Sequence, residues 1–523
     1  MEQPIHVDVC IVGSGPAGAI VTSQLAGRGK RIAIVEGGSW NDVNEQSRRL
    51  DGGSAAQLAI SKEHLHVPMR VYSGVSWMYW QIKKVGGNSR IWGGMCPRGL
   101  ESQFKMKSVY GVGEDWPIDY AELEPFYCQA EEELGVSGPS QADQKPWRSK
   151  PYPLPAFDND YVGQLFANAC TSLGYSSETT PTAKATQAYR GREACRYCNV
   201  NKCMSCLTTA RYKSDVHIRQ AMLDPNVSLL TDTTAATFVL GDTGRIEQLL
   251  CYMPDRSRRT VVADLFVLAG NTVGNARLLL LSAQGGHPDG LANRSQAVGR
   301  YYMGHPVYEY LAQMKTRVSA ARSAFTAISR HFEAGEHIRD AAGFRMFING
   351  SDQSAPLHGM RLVDQGLYGT RFKSALKELT RNGIKASVVT DCLPRPENRI
   401  EIDPENLDYF GQPGLKVTYN YGEYEESGRR LGAQTMARVL DALEATPTGE
   451  AAYDVAHQLG TTRMGTDPES SVVNRDLRAH DVDNLYIAGG SVFPNALGPT
   501  NPTLTIAALS MRLGQHLRQR LGL

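Results

Sequence analysis

The stretch that decides the fold is VDVCIVGSGPAGAIVTSQLAGRGKRIAIVE, residues 7–36. Its apolar run Val7–Val12 predicts a buried parallel strand, because such strands are apolar on both faces. In Ala17–Leu25 the apolar residues recur at helical spacing, and a second apolar run, Arg31–Val35, follows. Strand, turn, helix and strand in this order predict the start of a nucleotide-binding parallel sheet.

Three glycines occupy the turn between the first predicted strand and the helix. Gly13, Gly15 and Gly18 have the spacing G-x-G-x-x-G: the first makes the tight turn, the second lets backbone approach a pyrophosphate and the third lets helix pack on strand. The helix N-terminus favours the phosphate charge. Glu36 ends the second strand, where it would accept hydrogen bonds from a ribose. The stretch predicts a bound dinucleotide without distinguishing NAD from FAD.

Length and charge limit the other possibilities. A chain of 523 residues is expected to form two or more domains. Its net charge of +1 gives no overall field that would recruit nucleic acid or an anionic membrane. The most apolar long stretch, Val261–Leu281, is interrupted by Asp264, Asn271 and Arg277, so no membrane span is predicted. Because the first strand begins within about seven residues, leaving no room for a signal peptide, we expect a cytoplasmic protein.

Four of the ten cysteines lie in one short segment. Cys195, Cys198, Cys203 and Cys206 have the spacing C-x2-C-x4-C-x2-C, which predicts a shared metal ion or cluster. The gap between the pairs is shorter than in zinc ribbons and comparable to ferredoxin-type runs. An iron–sulfur cluster, a zinc ion, and disulfides or free thiols all remain open.

Later segments supply further candidate cofactor-binding residues. Glycine pairs allow the close backbone approach that a flat ligand needs, and an aromatic ring can lie against it. The start of a C-terminal helix would present partial positive charge to an anion. The candidates from these segments are Gly87, Asn88, Ser89, Trp92, Gly94, Gly270, Gly490, Ser491, Pro502 and Thr503.

Local patterns predict several further elements. Asp119 is a predicted N-cap, and Asn501 is predicted to cap a helix over Thr503–Leu517. His305 precedes a proline, which favours extended backbone, and we expect a structural histidine there. The alternation within Val307–Gly449 predicts a second, more antiparallel sheet, where we expect the substrate to bind.

Taken together, these pieces resemble the glucose–methanol–choline (GMC) flavoprotein oxidoreductases over nearly the whole chain. The resemblance is nearest to the sugar-oxidising branch of pyranose oxidases and glycoside 3-dehydrogenases, since Asn501 replaces a second histidine and Gly489–Gly490 stand where many members have an aspartate. The matching motifs, in the family's order, are VGSGPAGA with Glu36, VGGNSRIWGG, DWPIDYAELEPFY, VLAGNTVGNARLLLLS, VGRYYMGHP, PENRIEI, HQLGTTRMG and NPTLTIAALS.

The resemblance implies an α/β fold with a Rossmann-like FAD-binding domain and a second α+β substrate domain built on an antiparallel sheet. The FAD-binding domain would be discontinuous, formed by residues 1–118, 186–306 and 450–523. Residues 119–185 and 307–449 would form the substrate-binding cap domain.

The resemblance also implies the chemistry. FAD, not NAD, would occupy the first motif, with His457 as the base near the flavin N5 and Asn501 as its partner. A neutral imidazole suits removal of a hydroxyl proton while hydride leaves the carbon. Members with covalent FAD attach it through a histidine where this chain has Ile91, so we expect non-covalent FAD.

The expected function is therefore FAD-dependent oxidation of a CH–OH group in a sugar, glycoside or related polyol. Reoxidation would use an electron-transfer partner or oxygen, and the cysteine segment, absent from most of the family, favours a dehydrogenase. Two alternatives remain: a GMC enzyme for an aminocyclitol, aliphatic alcohol or sterol, and a non-catalytic nucleotide- or metal-binding protein. The sequence gives no indication of the oligomeric state.

Overall fold

The structure is a computed structural model that describes residues 3–40, 65–75, 81–140, 145–197, 206, 208–318, 327–350 and 355–523. Its strands, in chain order, are β1 (Ile5–Val12), β2 (Ile32–Val35), β3 (Met69–Ser73), β4 (Ser137–Gly138), β5 (Leu154–Pro155), β6 (Glu178–Thr179), β7 (Val227–Leu230), β8 (Thr234–Leu240), β9 (Ile246–Tyr252), β10 (Arg258–Leu268), β11 (Met303–Gln313), β12 (Ala327–Phe332), β13 (Phe344–Gly350), β14 (Gly383–Thr390), β15 (Arg399–Leu407), β16 (Pro413–Tyr419), β17 (Thr446–Leu459) and β18 (Leu485–Ile487). Its α-helices are Pro16–Leu25, Met106–Tyr110, Tyr120–Leu134, Tyr161–Ser172, Asp215–Ala221, Thr272–Leu281, Ala355–Asp364, Gly369–Asn382, Glu423–Ala442 and Thr503–Arg520.

A seven-stranded sheet contains the first predicted strand at its centre. Its order is β7-β2-β1-β10-β9-β8, with β18 beside the C-terminal half of β10. β1 runs parallel to both β2 and β10, and Val9, Cys10 and Ile11 on it have no exposed surface. Helix Pro16–Leu25 packs against helix Thr503–Arg520, so the two ends of the chain meet on this sheet.

A six-stranded antiparallel sheet forms the second layer system. Its order is β17-β11-β14-β13-β12-β6. One face packs on helices Tyr161–Ser172 and Glu423–Ala442. The opposite face carries a small apolar cluster in which Met95, from the glycine-rich segment after β3, covers Ile328, Phe347 and Val389. This second face therefore looks toward the nucleotide-binding part of the chain.

The α/β architecture predicted from the sequence is confirmed, with one local correction. β7 pairs with β2 in the parallel sheet, whereas β8, β9 and β10 form an antiparallel meander. Helix Thr503–Arg520 takes Pro502 as its N-cap, so the predicted cap at Asn501 is wrong. None of the described helices is long and apolar enough to cross a bilayer.

Candidate active site

The first glycine motif forms a tight turn with one open position. Gly13 has φ 104°, and a Cβ on Gly18 would lie 2.0 Å from the Gly13 carbonyl oxygen, so only glycine packs there. A Cβ on Gly15 would meet no atom of the described residues within 4 Å. Backbone N–H groups at the start of the following helix border this open position, which suits a diphosphate.

Ser14, inside the same motif, joins three segments. Its Oγ donates to Glu36 Oε2 at 2.5 Å and accepts from the Gly86 N–H at 3.1 Å, while its carbonyl accepts from Ser214 Oγ at 3.2 Å. Gly38 N–H also donates to Glu36 Oε1 at 2.9 Å. Burial raises the pKa of the Glu36 carboxyl despite these hydrogen bonds. The predicted contact between Glu36 and a ribose stays a prediction. An ionised Glu36 carboxylate would still have acceptor capacity for a ribose hydroxyl.

The second glycine-rich segment, residues 86–94, is held in place by hydrogen bonds from a buried arginine. Gly87–Arg90 form a short 3-10 helix, and a Cβ on Gly87 would lie 3.3 Å from the Gly15 Cα, so the two glycine motifs touch. The Arg211 guanidinium donates to the carbonyls of Ser89 (2.9 Å), Arg90 (2.8 Å) and Trp92 (2.6 Å). No motif in the sequence predicts the role of this arginine.

Two candidate residues of this segment are committed to backbone contacts. The Trp92 indole N–H donates to the Tyr212 carbonyl at 2.9 Å, and its ring packs edge-on against the Tyr212 ring. Asn88 is exposed, and its Oδ1 accepts from the Ile82 N–H. Gly94 has φ 87° and needs the conformational freedom of glycine.

The ends of β10 and β18 hold two more candidates together. Asn275 accepts from the Gly270 N–H at 2.7 Å and donates to Ser491 Oγ at 2.9 Å. The Gly490 carbonyl accepts from the Gly460 N–H at 3.1 Å. Gly489 has φ 107°, and a Cβ there would meet no described atom within 4 Å. This is a second open position beside the sheet.

His457 is aimed by an irregularity of strand β17. Met303 pairs with Leu459 and His305 pairs with Ala456, so an advance of two residues along β11 corresponds to three residues along β17. β17 therefore carries one extra residue here, which is a β-bulge. His457 lies in this bulge with φ 61°, a conformation that non-glycine residues seldom adopt. Bulges of this kind redirect side chains next to functional sites. Here the side chain meets Asn501, from the segment before the last helix.

A chain of hydrogen bonds runs through His457. Its Nδ1 lies 2.9 Å from His305 Nδ1, and His305 Nε2 lies 3.1 Å from the Ala496 carbonyl oxygen. On the other side, Asn501 Nδ2 lies 2.9 Å from His457 Nε2. Arg345 Nη1 then donates to Asn501 Oδ1 at 2.8 Å. The predicted pair is thus brought together, and His305 contacts His457, which the sequence patterns did not predict.

This chain fixes which nitrogen of each histidine carries the proton. The Ala496 carbonyl only accepts, so a neutral His305 has its proton on Nε2 and accepts at Nδ1. His457 must then donate from Nδ1, which leaves the lone pair of His457 Nε2 as acceptor. A guanidinium only donates, so Asn501 Oδ1 faces Arg345 and its amide N–H₂ faces His457. Each donor along the chain therefore meets an acceptor.

The Arg345 guanidinium is held by a buried acid. Its Nε donates to Glu333 Oε1 at 2.6 Å, while Arg330 contacts Glu333 Oε2 at 2.7 Å. Arg345 and Glu333 are 1% and 2% exposed. Burial alone would raise the pKa of the Glu333 carboxyl, but the two arginines outweigh it and the pKa is lowered. Glu333 thus stays ionised and positions Arg345 against Asn501.

Both histidines are neutral near pH 7. Burial lowers the pKa of His305 to about 4, although the Ala496 carbonyl opposes this. Burial, followed by the nearby His305 and Arg345, lowers the pKa of His457 well below its ordinary value. The Nε2 lone pair of the neutral His457 accepts from Asn501 in this structure. A substrate hydroxyl that replaces this contact can transfer its proton to Nε2.

The cysteine segment lies partly outside the described residues. Cys195 and Cys206 are described, whereas Cys198 and Cys203 are not. Burial raises the pKa of the Cys206 thiol, but hydrogen bonds from Arg211 and Thr208, together with the positive charge of Arg211, lower it overall. Within the described residues no group of three or more His, Cys, Asp or Glu side chains could hold a metal. The predicted metal or cluster site stays a prediction.

Family models match most of the chain. The N-terminal GMC oxidoreductase model covers residues 11–307 and the C-terminal model covers residues 394–510. The chain belongs to the GMC oxidoreductase family. The family resemblance predicted from the motifs is confirmed.

Two curated relatives and one solved structure align with nearly all of this GMC oxidoreductase. The large subunit of fructose dehydrogenase from Gluconobacter japonicus is 29% identical, with 98% of this chain and 97% of the relative covered. The 2-methyl-1,2-propanediol dehydrogenase of Mycolicibacterium austroafricanum is 28% identical, with 98% and 96% covered. Formate oxidase of Aspergillus oryzae has a similar fold, with TM-score 0.65, 15% identity and 99% of each chain covered.

The cofactor of this GMC oxidoreductase is FAD, and the described residues fit it. The open positions at Gly15 and Gly489 leave room beside the sheet that a Cβ would fill. Gly13, Gly18 and the segment of Gly87 and Ser89 would hold the dinucleotide by backbone. Pro502 and Thr503 begin the last helix directly after Asn501, so positive helix-dipole charge lies beside the candidate catalytic pair.

Proposed function

We propose that this FAD-dependent enzyme oxidises a CH–OH group of a sugar, glycoside or related polyol, with His457 as the base. The observation that carries the proposal is the hydrogen-bond chain, in which Asn501 and His305 leave a neutral His457 with its lone pair at Nε2. Bound FAD supplies the acceptor for the hydride of the oxidised carbon.

The residues of this chain supply the proton chemistry. A substrate hydroxyl that takes the place of the Asn501 amide at His457 Nε2 would give up its proton there. The Asn501 N–H₂ would then donate to the substrate oxygen as negative charge develops on it. The buried positive charge of Arg345 is linked to that oxygen through Asn501 by two hydrogen bonds, and it stabilises the negative charge that develops there. His305 would keep the transferred proton from leaving through Nδ1, since its own Nε2 proton is committed to Ala496.

The names of the relatives support the substrate class. Fructose dehydrogenase is named for a sugar and 2-methyl-1,2-propanediol dehydrogenase for a short diol. Both are named dehydrogenases, which favours an electron-transfer partner over oxygen as the acceptor. A short alcohol with one or two hydroxyls is the second candidate substrate, supported by the diol dehydrogenase.

The experiment is anaerobic reduction of the bound flavin. Purified holoenzyme is mixed with hexoses, hexitols, glycosides, short diols and monohydric alcohols, and the loss of flavin absorbance is followed. The proposal expects bleaching by at least one sugar or polyol, and its loss in His457→Gln. Bleaching by monohydric alcohols alone would contradict the substrate class, and unchanged bleaching in His457→Gln would contradict the base.

A further inference from the structure

A cluster of buried polar side chains lies on the sheet face that carries the catalytic hydrogen-bond chain, and the proton transfer to His457 does not involve it. Glu309 on β11 contacts the Lys385 ammonium on β14 through Oε1, and Ser387 stands directly across from Glu309. Their exposures are 6%, 5% and 1%. We call these three residues the polar cluster.

The strand register places the polar cluster and the catalytic chain on the same face. Side chains two residues apart on a strand, and directly paired residues, share a face. His305 and Glu309 are four residues apart on β11, and Arg345 on β13 pairs with Val389, which pairs with Val307. The apolar contacts of Val307, Phe347 and Val389 with Met95 confirm that this face is the one opposite the helices.

The same strand register gives the distance between the polar cluster and the catalytic residues. Glu309 and Ser387 lie two residues, or one strand period, beyond Val307 and Val389. Lys385 lies a further two residues along β14. One period is about 7 Å along a strand. A substrate whose reacting carbon meets His457 and Asn501 would therefore reach the polar cluster by extending along this face past Val307 and Val389, where it would displace the Met95 side chain.

Two atoms of the cluster lack hydrogen-bond partners. Glu309 Oε2 and Ser387 Oγ are buried and make no hydrogen bond within the part of the chain that the structure describes. Leaving a buried acceptor or hydroxyl unsatisfied is unfavourable, and a buried ion pair also costs desolvation that apolar residues of similar size would avoid. Both costs fall if a ligand bearing hydroxyl groups completes the hydrogen bonds.

We propose that Glu309, Lys385 and Ser387 form a substrate subsite that binds hydroxyl groups remote from the oxidised carbon, and so selects neutral polyols over monohydric alcohols. This proposal rests on the proposed function. The carboxylate accepts from a hydroxyl, the ammonium donates to one, and the serine hydroxyl does either. The subsite determines selectivity through binding and leaves proton transfer to His457.

The variants separate the subsite from the stability of the sheet. Glu309→Leu combined with Lys385→Met removes both charges together, because removing one partner would leave the other charge buried. Ser387→Ala removes only a hydroxyl and keeps the ion pair. Tyr308→Phe is the matched control, since it removes a buried hydroxyl from the adjacent residue of β11, which packs toward the helices.

The measurements are kcat and KM with a dye acceptor, for hexoses and hexitols against 1-hexanol and cyclohexanol. The double variant is expected to lower the ratio of kcat/KM for polyols to that for monohydric alcohols by about tenfold to a hundredfold, through KM, and Ser387→Ala by a smaller factor. The polyol-induced rise in Tm should shrink in both variants and persist in Tyr308→Phe.

Three results would overturn the proposal in distinguishable ways. An equal loss of kcat/KM for both substrate types would indicate a structural role, and an unchanged polyol KM would exclude contact. A wild-type enzyme equally active on monohydric alcohols and polyols would contradict the subsite while leaving CH–OH oxidation intact. If no polyol reduces the wild-type flavin, the proposed function fails and the subsite fails with it.

Discussion

The nucleotide end and the catalytic end of this site are built in different ways. The nucleotide end uses backbone: Gly13, Gly15 and Gly18 lie within one turn, and its side-chain contacts come mainly from Ser14 and Glu36 nearby. The catalytic end uses side chains from distant segments, because His305, Arg345, His457 and Asn501 come from three strands and the segment before the last helix.

The difference shows what each kind of site demands. A diphosphate needs close backbone and a helix N-terminus, which a short local motif provides. A general base needs a defined protonation state and direction, and these depend on partners that only the folded sheet brings together. Substitutions at the catalytic end should therefore change rate more than stability, whereas those at the nucleotide end should change packing or cofactor retention.

The largest effect is expected from His457→Gln. The amide keeps a polar group near Asn501 but has no basic nitrogen, so the rate of flavin reduction should fall about 10²- to 10⁴-fold. The measurement is anaerobic stopped-flow reduction with a saturating substrate from the panel. FAD content should match that of the wild type, because His457 is expected to act on substrate. If the variant lost FAD as well as activity, the slower rate would instead indicate a structural role for His457.

Sequence reasoning recovered the local features and missed the long-range ones. The strand, turn and helix around Gly13, and the cap at Asp119 that accepts from the Glu122 N–H, follow from neighbours in the sequence. His457 and Asn501 were found through the family resemblance. Arg345 and Glu333 carry no motif, since a charged residue within an alternating segment is typical of a solvent-facing strand position.

The contact between His305 and His457 could not be predicted from the sequence, for a physical reason. The residue before a proline predicts extended backbone, and the structure has it on strand β11. Its partner is decided by the bulge in β17, which no pattern in that segment indicates. The selection of Asn501 as a helix cap failed similarly, since its carboxamide is engaged by His457 and Arg345.

The pH dependence of stability tests the buried histidine pair. The pKa of His305 falls from 6.5 in the unfolded chain to about 4 in the folded one, so the unfolded state binds more protons within that window. Stability should therefore decrease as the pH falls from 6.5 to 4, by roughly 3 kcal/mol from His305. The shift of His457 acts in the same direction.

The measurement is the free energy of unfolding by urea at pH 7, 6, 5 and 4.5, for wild type and His305→Gln. All other titrating groups are common to both proteins, so the difference in slope reports mainly on His305. The variant should lose less stability on acidification. An identical slope would mean that His305 binds protons equally in the folded and unfolded states, which would contradict the lowering of its pKa by burial.

Two glycines of the first motif separate packing from cofactor binding. In Gly18→Ala the Cβ would lie 2.0 Å from the Gly13 carbonyl oxygen, so the turn must shift and the free energy of unfolding should drop by about 1–3 kcal/mol. In Gly15→Ala the Cβ enters the open position, so the apoprotein should change by under about 1 kcal/mol while FAD is lost more readily. Urea unfolding of the apoproteins and the ratio of flavin to protein after gel filtration measure the two effects. Equal FAD retention in Gly15→Ala and wild type would exclude the diphosphate from that position.

The smallest effect expected is also the most specific, because two arginines share one acid. Arg345 and Arg330 both contact Glu333, but only Arg345 reaches Asn501. Arg345→Lys keeps the charge and loses the fork that holds Asn501 and Glu333 at once, so flavin reduction should slow about tenfold. Arg330→Lys is the matched control, because it weakens a contact with the same buried Glu333 carboxylate. It should slow flavin reduction less than twofold. If both variants slow the reaction equally, the effect comes from Glu333 and the sheet. If only Arg345→Lys does so, the orientation of the Asn501 amide, set by a side chain far from it in sequence, contributes to the rate.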